Sequence, residues 1–228
     1  IVGGRDQDFN SYTLNRAFQS HRQPGSSIKP LIVYTPAFER GYDPNTIVDD
    51  HKFEGGPSNA TNTYAGKIPL RYAVAKSLNT VAWQVYEQVT PKVGLQYLKN
   101  MNFSSIVKDD YTLATSLGGF TKGVSPLEMA SAYAALENDG MFRQPNCIKS
   151  IVDADENVVY SSQMAEVSIY EKDATRTMTD VLTTVMDSGT GAALKLSNMP
   201  CAGKTGTTND HKDGWFVGYT RYYTTSVW

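Results

Sequence analysis

An α+β fold with antiparallel strands is predicted for this chain of 228 residues. Three observations carry it. Apolar residues recur at helical spacing in at least four segments up to Met186. After Ala202 the pattern changes to short runs rich in aromatic and β-branched residues. The links between those late runs are too short for crossover connections, so the strands pair antiparallel.

From Ser26 the sequence reads as a helix, with Leu31, Tyr34 and Phe38 on one apolar stripe and Gly41 past its end. Pro30 is tolerated because first-turn residues have no intrahelical partner for an N–H. Asp43 to Gly66 is rich in Pro, Gly, Asn and Thr and reads as loop. Pro69 to Ser77 fits a helix with proline in its first turn, and Thr80 to Val89 fits another. Ser77-Leu78-Asn79 therefore falls at the corner between two helices, where side chains project into a cleft readily. Lys92 to Asn100 makes a short helix. Ser125-Pro126-Leu127-Glu128 is a capping box, and its helix runs through Ala130, Tyr133 and Ala134 to a stop at Asn138-Asp139-Gly140. Cys147 to Val152 and Val158 to Tyr160 are strand-like about a polar turn. Glu171 to Met186 is amphipathic, with Met178, Val181, Leu182 and Val185 on one face. Ala202 to Thr207 reads as a strand, followed by a hairpin of Trp215 to Tyr219 and Tyr222 to Trp228. Ile1-Val2-Gly3-Gly4 reads as the tail of a strand, and both ends look cut from something longer. Residues 42–140 are expected to form a helical lobe, with 1–41 and 141–228 supplying a sheet-containing one.

Composition narrows the function. The chain holds 21 Lys plus Arg against 23 Asp plus Glu with no basic run, so no nucleic-acid partner is expected. No stretch approaches the ~18 apolar residues that a membrane span requires, and no segment resembles a signal peptide. Cys147 and Cys201, far apart and without metal-ligand spacing, read as buried free thiols. His21, His51 and His211 read as surface residues. Asn59-Ala60-Thr61 and Asn102-Phe103-Ser104 match glycosylation sequons, a pattern common by chance. No metal or other cofactor is implied.

Three short strings stand out: Ser26-Ser27-Ile28-Lys29, Ser77-Leu78-Asn79 and Lys204-Thr205-Gly206. Ser26 and Lys29, three apart on a helix, share a face with Cβ atoms about 5–6 Å apart. A serine hydroxyl is a weak nucleophile until a neighbouring base takes its proton. Lysine can be that base only if its amine is neutral near pH 7, which desolvation and a second cation, Lys204, both favour. Free N–H groups at the helix start favour negative charge beside Ser26. Ser77 offers a hydroxyl to relay a proton and Asn79 an amide to bind one. Lys204-Thr205-Gly206-Thr207 reads as a strand with a cation and two hydroxyls, where Gly206 lets a ligand approach the backbone.

Decoys exist. A second S-x-x-K, Ser105-Ile106-Val107-Lys108, follows the S-x-N string in a polar stretch, unlike the Ser26 copy. Gly203-Lys204-Thr205 ends like a phosphate loop, but Asn198 stands where glycine is needed and a strand follows. Ile1-Val2-Gly3-Gly4 with Asp187-Ser188-Gly189 suggests an all-β serine protease, which the helices exclude.

With all three strings in order, the chain resembles the transpeptidase domain of class A, bifunctional penicillin-binding proteins. The resemblance spans nearly the whole chain. It includes Arg22-Gln23-Pro24-Gly25-Ser26-Ser27-Ile28-Lys29-Pro30, Ala75-Lys76-Ser77-Leu78-Asn79-Thr80, Gly123-Val124-Ser125-Pro126-Leu127-Glu128-Met129-Ala130, and Gly203-Lys204-Thr205-Gly206-Thr207-Thr208 before Asp213-Gly214-Trp215-Phe216-Val217-Gly218. It implies an antiparallel sheet packed between helices beside a mostly helical lobe. It implies that Ser26 attacks a D-alanyl-D-alanine stem terminus, that Lys29 takes its proton, and that Ser77 helps D-alanine leave. Asn79 would hold the stem amide; Lys204, Thr205 and Thr207 would hold the carboxylate; the N–H groups of Ser26 and Thr207 would form the oxyanion hole. The implied product is crosslinked peptidoglycan, and β-lactams would acylate the same serine. An upstream glycosyltransferase domain, completing sheet strands and a membrane anchor are expected elsewhere in a longer protein, at the extracytoplasmic face of a bacterial membrane. The middle string is S-L-N and no E-x-x-L-N loop appears, so fast hydrolysis of β-lactams is not expected. A carboxypeptidase and a penicillin-sensing receptor domain are the alternatives.

Overall fold

The computed structural model describes residues 13–163, 165–208 and 211–228; the expected strand tail at Ile1 to Gly4 lies outside them. From Gly25 to Phe38 the chain forms one rod wound in three ways. It is 3₁₀ over Gly25–Ile28, π over Pro30–Tyr34 and α-helical over Thr35–Phe38 (α1). The expected apolar stripe is instead buried all round, with every residue from Ser27 to Phe38 enclosed, the polar Ser27, Lys29 and Thr35 included. The change of winding has a local cause. Pro36 has no N–H to give to the carbonyl one turn back, and the N–H and hydroxyl of Thr35 both go to Pro30 O.

Helices surround this rod. These are α2 (Leu70–Ala75), α3 (Asn79–Val89), α4 (Pro91–Asn100), α5 (Pro126–Glu137) and α6 (Lys172–Ser188). α4 comes close because Gly94 has no side chain: a Cβ there would lie 2.8 Å from Ile32 O and 2.5 Å from the Tyr86 ring. Tyrosine hydroxyls from two other elements pin the rod's carbonyls, Tyr133 to Ser27 O at 2.6 Å and Tyr170 to Leu31 O at 2.8 Å. The capping box at α5 forms as expected, with Ser125 N donating to Glu128 Oε2 at 2.7 Å and Glu128 N donating to Ser125 Oγ at 3.3 Å.

Asp43 to Gly66 is not all loop. It contains β1 (Ile47–Asp50), which pairs antiparallel with β2 (Gly66–Pro69), so Asp50 faces Gly66. Pro69 accordingly ends a strand in extended conformation before α2. β3 (Met141–Arg143) pairs with β6 (Glu166–Ser168), and an exposed hairpin of β4 (Ser150–Val152) and β5 (Val158–Ser161) lies between them in sequence. The main sheet is β7 (Ala202–Thr207), β8 (Gly214–Tyr219) and β9 (Thr224–Val227), all antiparallel, with Lys204 opposite Val217 and Phe216 opposite Val227. α6 packs on β7, and α5 on β8 and β9, while the start of the rod lies against β7. Trp215, Val217 and Tyr219 alternate into the core, as period-two patterning requires.

Both cysteines are free, but Cys147 is exposed and Cys201 half-buried, so neither is the buried thiol expected. No helix among the described residues is long and apolar enough to cross a membrane.

Candidate active site

The rod's first turn and β7 touch through two glycines. Gly25 has φ +54°, and a Cβ on it would lie 2.7 Å from Thr207 O. A Cβ on Gly206 would lie 2.3 Å from Pro24 O and 3.0 Å from Ser27 N. Gly206 therefore makes room for the backbone on either side of Ser26. The contact sets half-buried Ser26 beside the end of β7, where Thr207 is exposed. Residues three apart eclipse in 3₁₀ winding, so Lys29 stands in line with Ser26 on the rod's first turn. Its neighbour Ser27 turns inward and donates to Pro24 O at 2.7 Å.

The second string sits at the corner between α2 and α3. Ser77 adopts φ +59°, the left-handed region that a non-glycine residue occupies at a cost of about 1–3 kcal/mol. This turn ends α2, with Ser77 N donating to Val74 O at 3.0 Å and Leu78 N to Ala73 O at 2.9 Å. α3 then begins without a cap from its own N-cap residue, Leu78. Buried Asn59 supplies that cap from the loop between β1 and β2. Its Oδ1 accepts from Asn79 N at 2.8 Å and Thr80 N at 3.4 Å. Its Nδ2 donates to Asp50 Oδ1 at 2.7 Å and Thr63 O at 2.9 Å. Asp50, also buried, accepts in addition from Ala65 N at 2.7 Å and from the Thr80 hydroxyl. A side chain this enclosed is no sugar acceptor, which removes the first sequon.

Two buried lysines join these pieces. Lys29 Nζ donates to Ser77 O at 2.9 Å, to Asn79 Oδ1 at 2.8 Å and, at longer range, to Leu78 O at 3.4 Å; none of these bonds reaches Ser26 Oγ. Lys204 Nζ donates to Ser77 Oγ at 2.8 Å and to Thr205 O at 3.1 Å. Ser77 is thus bonded by one lysine at its carbonyl and by the other at its hydroxyl. Burial pushes Lys29 well below the ordinary lysine range, and the charge of Lys204 pushes it further. Burial brings Lys204 down to about 7. A neutral Lys29 amine has two protons, which the two short bonds consume, and one lone pair left to accept. The Asn79 amide oxygen faces Lys29, and its Nδ2 turns outward to Ser58 O at 2.9 Å. One N–H of that amide remains to be given.

The first, second and third strings are therefore brought together: Lys29, Ser77, Asn79 and Lys204 by direct bonds, Ser26, Gly206 and Thr207 by packing of backbone. Thr205 lies on the same strand, half-buried, its hydroxyl 2.6 Å from that of exposed Thr190. The second S-x-x-K does not join them, since Lys108 is exposed and Ser105 lies in a turn. Nor does a helix follow Lys204, which lies within β7, so the phosphate-loop pattern has no anion site behind it. Sequence reasoning missed Asp50, Asn59 and Thr190. For Thr190 a signal was present, a hydroxyl residue between two glycines just after α6; for Asp50 and Asn59 none was.

The whole chain, residues 1–228, matches the family described as penicillin binding protein transpeptidase domain. It is 35% identical to penicillin-binding protein 4 of Bacillus subtilis over all of this chain and 37% of that protein. It is 34% identical to penicillin-binding protein 1A/1B of the same organism, over all of this chain and 27% of that protein. The chain spans about a third of the curated relatives' length. In fold it is similar to the PonA1 protein of Mycobacterium tuberculosis in complex with penicillin V, at TM-score 0.83 and 23% identity over 96% of this chain and 62% of that one. A family match along the entire length, on a fold that brings the three strings together, places this chain among the transpeptidase domains of penicillin-binding proteins.

Proposed function

We propose that this chain is a serine D,D-transpeptidase that crosslinks peptidoglycan stem peptides and is acylated by β-lactams. Ser26 Oγ attacks the carbonyl of the D-alanyl-D-alanine bond while its proton passes to neutral Lys29. The tetrahedral oxyanion takes hydrogen bonds from the N–H groups of Ser26 and Thr207. Collapse breaks the C–N bond, and the departing amine takes a proton through Ser77 Oγ from Lys204. An acceptor amine on a second stem then attacks the ester and gives up one proton through Ser77 Oγ to Lys204, while protonated Lys29 returns its proton to Ser26 Oγ as the ester C–O bond breaks. Asn79 holds the stem amide through its free N–H, and Lys204, Thr205 and Thr207 hold the terminal carboxylate.

The single observation that carries this reading is Ser77. Its two oxygens bond both lysines, so base, relay and cation form one connected unit. The carbonyl only accepts and so holds the Lys29 amine in place as base, while the hydroxyl can pass a proton to or from Lys204. As a part of a longer, membrane-anchored cell-wall enzyme, the chain would work on the outer side of the bacterial membrane beside a glycosyltransferase domain. Incubation with a stem pentapeptide, with and without an acceptor amine, tests the function. Crosslinked product is expected. Free D-alanine alone would mean a carboxypeptidase, and an acyl-enzyme without release of product would mean a sensor.

A further inference from the structure

We propose that Thr190 is a further substrate-binding residue, whose hydroxyl acts with that of Thr205 as a paired donor for the carboxylate lying in the acyl groove. This rests on the acyl-transfer reading above and adds to it a second wall of the groove, contributed by the segment between α6 and β7.

The backbone around Thr190 is held from two sides. Thr190 N donates to Ala75 O at 3.1 Å, so the segment is fastened to the last turn of α2, two residues before Ser77. Gly189 permits that approach, since a Cβ there would lie 2.4 Å from Ala75 O. The N–H groups of Gly189 and Gly191 both close on Val185 O at 3.1 Å, ending α6. Lys76 Nζ reaches across to Ser188 O at 2.9 Å. With its backbone fastened to the second string, the Thr190 side chain meets the third, Oγ1 to Oγ1 of Thr205 at 2.6 Å.

Burial does not account for this contact. Thr190 is exposed and Thr205 only half-buried, so water could satisfy either hydroxyl at little cost. A hydroxyl has one proton and two lone pairs. Whichever of the two donates within the pair, one O–H remains to be given outward, and that O–H is strengthened by the bond it accepts. A carboxylate can only accept. Lys204, bonded to Thr205 O at 3.1 Å, adds the positive charge beside it. The O–H that the pair presents and the ammonium together fit a terminal carboxylate better than a neutral amide or ester.

The test compares penicillin G with its methyl ester as acylating probes of the unsubstituted protein, Thr190→Val and Thr190→Ser, with melting temperature confirming that each variant folds. Thr190→Val keeps the shape and removes the hydroxyl. It should lower the acylation rate constant for penicillin G about 10-fold or more, the scale of a lost hydrogen bond to a charged group. The ester's constant should change by less than about twofold, because the ester lacks the anion that makes the bond strong. Thr190→Ser should restore the acid's rate. An equal fall for acid and ester would mean that Thr190 only holds β7 in place and would overturn the proposal, as would no fall for either. Failure of the acyl-transfer reading looks different: the unsubstituted protein would take up neither probe, and the role of Thr190 would fall with it.

Discussion

Replacing Lys204 by methionine should flatten the rise of folding stability between neutral and alkaline pH. Lys204 is wholly buried and titrates in the folded chain near 7, against 10.5 for an ordinary lysine. Below pH 7 both folded and unfolded chains carry its proton, and folding bears the full cost of enclosing an ammonium. Between about 7 and 10.5 the unfolded chain keeps the proton and the folded chain has lost it, so the unfolded state binds more protons and stability climbs with pH. One proton of difference gives a slope of about 1.4 kcal/mol per pH unit. Allowing for partial titration at both ends, Lys204 contributes a rise of about 3 kcal/mol from pH 6 to 9.5. Lys29, lowered by burial and by Lys204, adds to the slope in the same direction, and part of its contribution disappears with Lys204. The window closes near pH 10. There the phenols of Tyr34, Tyr133, Tyr170 and Tyr219, all raised by burial, keep protons that the unfolded chain releases, and stability turns downward. Urea unfolding at half-unit steps from pH 6 to 9.5 measures the slope directly. Methionine has nearly the shape of lysine and no charge, so the Lys204→Met curve should run flatter by at least one proton. Parallel curves for the two proteins would show that the ammonium of Lys204 is solvated, and the account of a depressed amine beside Lys29 would be refuted.

Three other expectations can be checked with simpler measurements. Ser26→Ala should abolish labelling by a fluorescent penicillin on a gel while Ser105→Ala leaves it intact; equal bands would reject the choice between the two S-x-x-K copies. Lys29→Ala should slow acylation by about 10²–10⁴-fold in stopped-flow traces, the usual worth of a positioned proton transfer; an unchanged rate would mean that another group serves as base. Asn59→Ala should cost about 3 kcal/mol in chemical denaturation. It uncaps α3 and leaves the buried Asp50 carboxylate short of a donor. A loss below about 1 kcal/mol would show that water takes over the cap.

What could be read from the sequence, and what could not, divides along the range of the interactions involved. α3, α4, α5 and α6 were legible because each repeats its own signal over ten or more residues, and the cap of α5 lies within four residues of itself. The β1–β2 pair escaped because each strand is four residues long and half-exposed, and its partner lies beyond a loop full of turn formers. The three strings announced which residues carry chemistry only jointly and by their order, since each alone has local uses, as the second S-x-x-K shows. How they meet was not announced. Asn59 looked like a sequon because its local neighbours suit one, while its actual partners, Asp50, Asn79 and Thr80, are brought to it by folding. Gly206 shows the limit most plainly. The absence of a side chain says that something must come close. Only the fold says that the visitor is the backbone of Pro24 and Ser27. That contact fixes Ser26 to the strand bearing Lys204, while Lys204 is bonded to Ser77 and Ser77 to Lys29. The loop of connections returns to the rod on which Ser26 stands, so a displacement of any one string disturbs all three.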